Sequence, residues 1–544
     1  MRSRTLILER GSPVDSENLL ALYLSELIDE QIDFNPDRTL LDWCFDYRKI
    51  RGRPFTLDEH KFMELIYKDT HPEKIIKKAA QCGASEYFVS ESFYVCDQLG
   101  SNVLYAFPAK TQLEEFSQAR VNPAIEESPY LSKRVEGLNN VRLKRIGERF
   151  IYFRGTQTIK DMKSTDADVL YVDEYDEMNM VNLEQGYRRL GNSSLQWIRW
   201  ASTPTVPDYG IDKLYKESDQ RVWMVKCPCG RGEHKGWQEL DFFKNVDKEN
   251  AKVVCQYCKG EIDRLAQGLW VAKYPSRDRH GYHINKLMMA RTNIKKLIEA
   301  SKKTVDYEIE EFFHSDLGLA YAASGSRLTT EILRACKRDY IRAYTLRSGY
   351  NVMGIDVGTL INWSVSTVTD TGKMQKVNWG TVRHFEELDT LIRQYNVSAA
   401  VCDIRPETRK AKELRDRWKK SGTQVWLAEY DTTGNIHDHV LYEEDRIIRL
   451  NRTEIMDDVA ARYRSQFKVL PKDCEMDPEL FDQLKAPVRT KVRRPSETRQ
   501  TGLRDKPRFR YVETGPDHYY HTDVYEEAAA RLLPRRGMIQ AVVV

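Results

Sequence analysis

Asp168-Val169-Leu170-Tyr171-Val172-Asp173-Glu174 is an unbroken apolar run that ends in two carboxylates. A run with no polar alternation predicts a strand buried on both faces, as in a parallel sheet covered by helices. An acid at the end of such a strand can hold the Mg²⁺ of a bound nucleotide, the role open to Asp173. The acid after it, Glu174, can orient an attacking water. The continuation Tyr175-Asp176-Glu177 keeps a second reading open, a strand that simply ends in a solvated acidic turn.

Working outward, short apolar runs at 74–80, 103–107, 149–154 and 197–201 alternate with amphipathic helical stretches. That rhythm predicts an α/β domain with a mostly parallel sheet. Between the first run and the helix after it lies Lys77-Lys78-Ala79-Ala80-Gln81-Cys82-Gly83-Ala84-Ser85-Glu86. A strand-to-helix turn is where free N–H groups and the helix dipole cradle phosphate. The standard loop is Gly-x-x-x-x-Gly-Lys-Ser/Thr. Gly83 and Ser85 fit it, but Ala84 stands where the lysine belongs, so by itself the segment also reads as an ordinary turn. The run 197–201 closes in Ser202-Thr203-Pro204, a small polar turn of the kind that senses loss of a γ-phosphate.

A second α/β unit is predicted from strands at 351–356, 363–369, 399–403 and 424–428 and a final helix over 518–533. Asp356 and Asp403 end two of these strands, and Asp517, His518 and Asp523 lie at the start of the helix. Strand acid, strand acid, late helical acid is the layout of ribonuclease-H-like nucleases. Their chemistry needs carboxylates that converge on two divalent ions about 3.5–4 Å apart. Hard oxygen ligands suit Mg²⁺ or Mn²⁺. Each acid alone reads equally as a solvated strand end.

The order of phosphate loop, Asp-Glu strand and Ser-Thr-Pro turn resembles the packaging ATPases of tailed bacteriophages. The loop Lys78-x-Ala80-x-x-Gly83-x-Ser85 is similar to the deviant phosphate loop of the lambda-type large terminase subunits. The resemblance implies that Lys78, Gln81, Gly83, Ala84 and Ser85 serve the phosphates of ATP. It also implies that Asp173 holds Mg²⁺, that Glu174 is the catalytic carboxylate, and that Ser202 and Thr203 couple hydrolysis to movement. Ala80 stands where other terminases carry an arginine, so the remaining positive charge must come from elsewhere, a neighbouring subunit being one source. His518-x-x-x-x-Asp523 followed by Ala528-Ala529-Ala530 is similar to the family's last nuclease motif. On that likeness Asp523 is the third acid with Asp356 and Asp403, and Asp517 and His518 are the alternatives.

The family's fold is a P-loop-type ATPase domain followed by a ribonuclease-H-like nuclease domain. Its activities are ATP-driven translocation of double-stranded DNA into the procapsid and metal-dependent cutting of concatemeric DNA. Its implied partners are a small terminase subunit, the portal protein and further copies in a ring, a pentamer in the resemblance. The implied location is the host cytoplasm and, transiently, the portal vertex of the procapsid, with none in the mature virion.

The bulk properties fit. A chain of 544 residues suggests two large domains. The expected division is a helical region at 1–60, with an amphipathic helix at 18–32, an ATPase domain at 61–340 and a nuclease domain at 345–544. The net charge of +3 excludes a simple DNA-coating protein and confines nucleic-acid contact to local patches. One such patch is 485–510, which carries ten Lys or Arg against Glu497 and Asp505 and reads as a loop or hairpin. No long apolar run predicts a membrane span, and the early charges of the N-terminus do not read as a signal peptide. Within 222–275, Cys227, Cys229, Cys255 and Cys258 form two pairs, which predicts a small insert with a structural, ribbon-like Zn²⁺ site. The first pair is one residue short of the usual spacing, and His234 is a substitute ligand. Two rival readings are a helicase-nuclease of repair or recombination and a non-catalytic DNA-binding scaffold with a decayed ATP site, the latter favoured by Ala84.

Overall fold

The computed structural model describes residues 38–534 apart from 136–138, 164, 233, 324, 344–349, 432–435 and 492–508. The helix expected at 18–32 lies outside the described residues. The chain divides into two compact units. The first comprises Met1–Thr203, Leu214–Glu299 and Ser315–Leu319, and the second Pro204–Lys213, Ala300–His314 and Ala320–Val544.

The first unit is built on seven parallel strands: β1 (Glu73–Lys78), β2 (Val103–Phe107), β3 (Arg149–Gly155), β4 (Val169–Asp173), β5 (Trp197–Ser202), β6 (Arg221–Lys226) and β7 (His280–Ile284). Their order is β6-β7-β1-β5-β4-β2-β3. β2 and β4 are buried at every position, as their uniform apolar sequences require. Helix α1 (Ala84–Asp97) follows the turn after β1 and is buried on most of its surface. β1 also carries the buried Lys74, whose ammonium ion-pairs with Glu91 of α1; Glu91 in turn pairs with Arg199 of β5. Charges this deep are tolerated only when paired and hydrogen-bonded, so the triad ties helix to sheet.

The insert expected at 222–275 is smaller than the sequence suggested. β6 buries Val222, Trp223 and Val225 and joins the main sheet parallel to β7. Trp237–Glu239 and Leu269–Ala272 pair antiparallel with β6, so what stands apart from the sheet is the cysteine turns, the short helix Phe242–Asn245 and the small hairpin of Val246–Asp247 with Lys252–Val253.

The second unit contains β8 (Tyr350–Val357), β9 (Ile361–Val368), β10 (Met374–Val382), β11 (Val397–Asp403) and β12 (Gln424–Tyr430). Their order is β10-β9-β8-β11-β12, antiparallel across β10, β9 and β8 and parallel across β8, β11 and β12. This is the ribonuclease-H-like arrangement. Helix α2 (Phe385–Gln394) follows β10, α3 (Thr408–Trp418) follows β11, and α4 (His518–Arg531) packs on β8 and β9. The helix Thr330–Ala335, expected in the first domain, belongs here. Its Leu333 and the adjacent Cys336 are buried with Met374, Tyr463 and Leu470, and Lys337–Arg338 extends the second sheet. The division therefore falls near residue 320 rather than 340.

Candidate nucleotide, zinc and nuclease sites

In the first unit β1 delivers Lys78 to the start of the turn and α1 begins at Ala84, capped by Gly83 at φ 90°. Gln81 also adopts positive φ, 62°, an uncommon conformation for a non-glycine residue. β5 lies between β1 and β4, so the phosphate turn and the acidic pair face each other across the Ser-Thr turn. Lys78 Nζ lies 3.0 Å from Glu174 Oε1, and Ser85 Oγ donates to Asp173 Oδ2 at 2.8 Å. Tyr105, which the sequence reading missed, donates to the same oxygen at 3.1 Å. Asp173 Oδ1 is buried without a hydrogen-bond partner. An orphaned carboxylate oxygen beside a loop serine is the donor set a hydrated Mg²⁺ needs, so the residues fit that ion. Burial, then the adjacent Glu174, push the Asp173 carboxyl up, while Lys78 opposes them. For Lys78 burial works against the charge, but Glu174 and Asp173 outweigh it and hold the ammonium above its ordinary range. Ser202 accepts from the N–H of Asp176 at 3.2 Å, which links the Ser-Thr turn to the segment after Glu174.

The four cysteine sulfurs lie within 4.8 Å of one another. Cys227–Cys258 and Cys229–Cys255 are 3.8 and 3.9 Å apart. Zn–S bonds of about 2.3 Å in a tetrahedron put sulfurs about 3.8 Å apart, so the set fits Zn²⁺. Backbone N–H groups of Arg231 and Tyr257 and the Gln238 amide donate to the sulfurs, as around thiolates. The short first pair works because Gly236, at φ 91°, brings the chain against the Cys227 carbonyl, where a Cβ would sit 2.3 Å from the oxygen. Exposed His234 is not in the cluster. One Zn²⁺ per chain is expected by metal analysis of purified protein, and Cys258→Ser should lose it and melt earlier; a metal-free parent with the same melting curve would sink the assignment.

In the second unit Ile355 pairs with Cys402 in parallel register, so Asp356 and Asp403 end adjacent strands at one edge. His518 Nδ1 donates to Asp356 Oδ2 at 2.8 Å, Tyr525 donates to Asp403 Oδ2 at 2.9 Å, and the Arg405 N–H donates to Asp403 Oδ1 at 2.9 Å. Burial pushes the Asp403 carboxyl up and Asp356 adds to it, against those two hydrogen bonds. The bond to Asp356 raises His518 above its ordinary value. Glu513, Asp517 and His521 each bring a ligand atom within 4.8 Å of the others, and His521 Nδ1 is 2.7 Å from Tyr430 OH. Oxygen-rich groups clustered on and beside the two strand acids fit a hard divalent cation. Glu513, His521, Tyr430 and Tyr525 escaped the sequence reading. His521 and Tyr525 lie three and seven residues after His518, the spacing of one helix face, which would have found them.

Asp523 is placed elsewhere. It is fully buried on the opposite side of α4, with Lys376 and Lys468 2.5 and 2.8 Å away and Tyr463 donating to it at 2.5 Å. Burial alone would raise its pKa, but the two lysines hold it below the usual carboxylate value. At the described ends of the basic stretch, Pro487–Lys491 and Phe509–Glu513 pair antiparallel, the latter ending in Glu513 of the cluster; residues 492–508 lie outside the described set.

The family described as phage terminase large subunit gpA, ATPase domain, matches residues 54–270. No curated protein matches the chain. Among solved structures, the large terminase of bacteriophage HK97 is 11% identical, covers 91% of this chain and 100% of its own, and superposes with a TM-score of 0.52. A large terminase from a thermophilic bacteriophage is 12% identical over 87% of this chain and 98% of its own, with a TM-score of 0.32. The HK97 likeness shows the fold, and it runs through both units. Residues 54–270 are thus a gpA-type ATPase domain of the phage terminase large subunit family, and the chain as a whole has the fold of a large terminase.

Proposed function

We propose that this terminase subunit hydrolyses ATP between Lys78–Ser85 and Asp173–Glu174 to drive double-stranded DNA into a preformed shell, and that Asp356, Asp403 and Asp517 cut the DNA. The observation that carries the reading is the pairing, in one chain, of two carboxylate sites at strand ends, each beside cation-binding or phosphate-binding groups. Lys78 reaches the phosphate turn from the strand side, which replaces the lysine missing at Ala84 and weighs against a decayed ATP site.

Mg²⁺ held by Asp173 and Ser85 would neutralise charge on the phosphates. Lys78 ion-pairs with Glu174. Phosphates bound at the turn would compete for Lys78 and leave the Glu174 carboxylate to orient water. The Ser202 link to Asp176 gives the turn a hold on the segment that carries Glu174. At the nuclease site two divalent ions, Mg²⁺ or Mn²⁺, would activate water and stabilise the leaving oxygen. Tyr525 and the Arg405 N–H orient Asp403, His518 orients Asp356, and His521 orients Asp517. A small terminase subunit, the portal and further copies of the chain in a ring are the partners this role requires.

The test pairs two assays on the full chain. Supercoiled plasmid should be nicked with Mn²⁺ or Mg²⁺, and Asp356→Ala and Asp403→Ala should abolish nicking. Glu174→Gln should lower ATP turnover by roughly 10²–10⁴-fold, the usual contribution of a positioned base. A folded parent that neither nicks nor hydrolyses ATP would favour the non-catalytic scaffold.

A further inference from the structure

We infer that two arginines flanking the nuclease acids, Arg383 and Arg405, grip the backbone of the DNA strand being cut, one on each side of the scissile phosphate. The inference rests on the nuclease reading above. β8, β10 and β11 all run toward the same sheet edge: Val357 pairs with Ile361 and Ile361 with Val382, and Asp403 ends β11 beside them. Arg383 leaves this edge one residue beyond β10, and Arg405 two residues beyond Asp403. In the order β10-β9-β8-β11 the two chain ends are three strand spacings apart, about 14 Å, or about four base steps along a duplex. Asp356 stands between them and Asp403 at the Arg405 end.

On the Arg383 side the edge is hollowed into a cleft of about 520 Å³ lined by Leu360, Thr381, Val382, Arg383, His384 and Glu387. The Glu387 carboxylate is occupied by the backbone N–H groups of Arg383 and His384, at 3.0 and 2.9 Å. The Arg383 guanidinium has no ion pair among the described residues, and neither does that of exposed Arg405. The arginines of α3 contrast with them: Arg409, Arg415 and Arg417 each have a carboxylate within 3.4, 2.9 and 2.9 Å. Beside the acids, then, Arg383 and Arg405 keep guanidinium groups that no carboxylate among the described residues neutralises. Leu360 is 43% exposed at the tip of the β8–β9 turn, in the wall of the same cleft. An apolar wall beside a free guanidinium suits deoxyribose and phosphate together. A polyanion approaching Asp356, Asp403, Asp517 and Glu513 meets repulsion, and flanking cations offset it without entering the metal site.

Phosphate contacts are measured by salt. Each one lost lowers the slope of log K against log salt by about 0.9. Binding of a short fluorescent duplex to the full chain, with Ca²⁺ replacing Mg²⁺ to prevent cutting, should give a slope reduced by about 0.9 in Arg383→Ala and in Arg405→Ala, and by about twice that in the double variant. Lys420→Ala, at the opposite end of the sheet, is the control for loss of one positive charge. Slopes for the arginine variants that match Lys420→Ala would overturn the proposal. Reduced slopes in a protein that never nicks DNA would keep the cradle and sink the nuclease reading instead.

Discussion

Gly354→Ala is expected to dismantle the nuclease unit. A Cβ at Gly354 would lie 1.9 Å from the carbonyl oxygen of Thr522 and 2.8 Å from both the Thr522 carbonyl carbon and the Glu526 nitrogen. All three are backbone atoms of α4, so no side-chain rotation relieves the clash. The helix must leave β8 or the strand must buckle. Overpacking of a buried contact costs about 1–3 kcal/mol, and more when backbone must move. A loss of about 3 kcal/mol or more lowers the melting of a unit this size by roughly 6–12 °C. The same displacement carries Asp517, His518, His521 and Tyr525 away from Asp356 and Asp403. Thermal melting of the full chain should therefore show an early transition, with Mn²⁺-dependent nicking lost and ATP hydrolysis retained in the first unit. A variant that melts and nicks like the parent would mean that α4 does not rest on β8.

The glycine shows why part of this molecule was legible in sequence and part was not. Val352-Met353-Gly354-Ile355-Asp356 announces a buried strand with an acid at its end, and the strand is there. Nothing local in that segment says that a helix 160 or more residues later rests on its glycine. The same holds in the first unit. The uniform apolar runs of β2 and β4 reveal a parallel sheet because burial on both faces leaves no room for polar residues. The insertion of β5 between β1 and β4 is a matter of tertiary order. β6 was hidden for a related reason. It opens a cysteine-rich segment, and the knuckle pattern masks a strand of only six residues.

Side chains that orient the acids were the least legible. Tyr105 and Tyr525 come from elements read correctly as a strand and a helix, but a tyrosine in either is unremarkable until its hydroxyl is seen on Asp173 or Asp403. The loop lysine was easier. Ala84 ruled out the usual position, and Lys78 was the basic residue that the resemblance put forward in its place; in the structure its ammonium faces Glu174. For the third nuclease acid, the likeness of His518-x-x-x-x-Asp523 to the family's last motif pointed to Asp523, but residues five apart on a helix lie on nearly opposite sides, so Asp523 turns away from the face of His518 while Asp517 clusters with Glu513 and His521.

Asp523→Asn and Asp517→Asn are accordingly expected to fail in different ways. Asp523 and Glu526 share Lys376 and Lys468 in a fully buried quartet, with Tyr463 on Asp523 and Ser364 and Ser366 donating to Glu526 at 2.6 Å. Two negative and two positive charges balance there. Removing one carboxylate leaves a buried lysine without compensation, which costs about 3–5 kcal/mol. Asp523→Asn should therefore behave as a folding variant, with early melting and a soluble yield that falls on warming. Whatever fraction remains folded should still be stabilised by Mn²⁺, because a ligand that binds only the native state raises its melting temperature. Asp517 is buried in the cluster with Glu513 and His521, immediately before α4 begins, outside the lysine–carboxylate quartet. Asp517→Asn gives up the charge of one contact to His521, worth about 1.5–3 kcal/mol at most, and so should melt later than Asp523→Asn, yet lose both nicking and the Mn²⁺-induced rise in melting. Melting curves with and without Mn²⁺ separate the two behaviours. If instead Asp523→Asn melted like the parent and lost the Mn²⁺ effect, the buried quartet would have to open when metal binds, and Asp523 would replace Asp517 as the third metal acid.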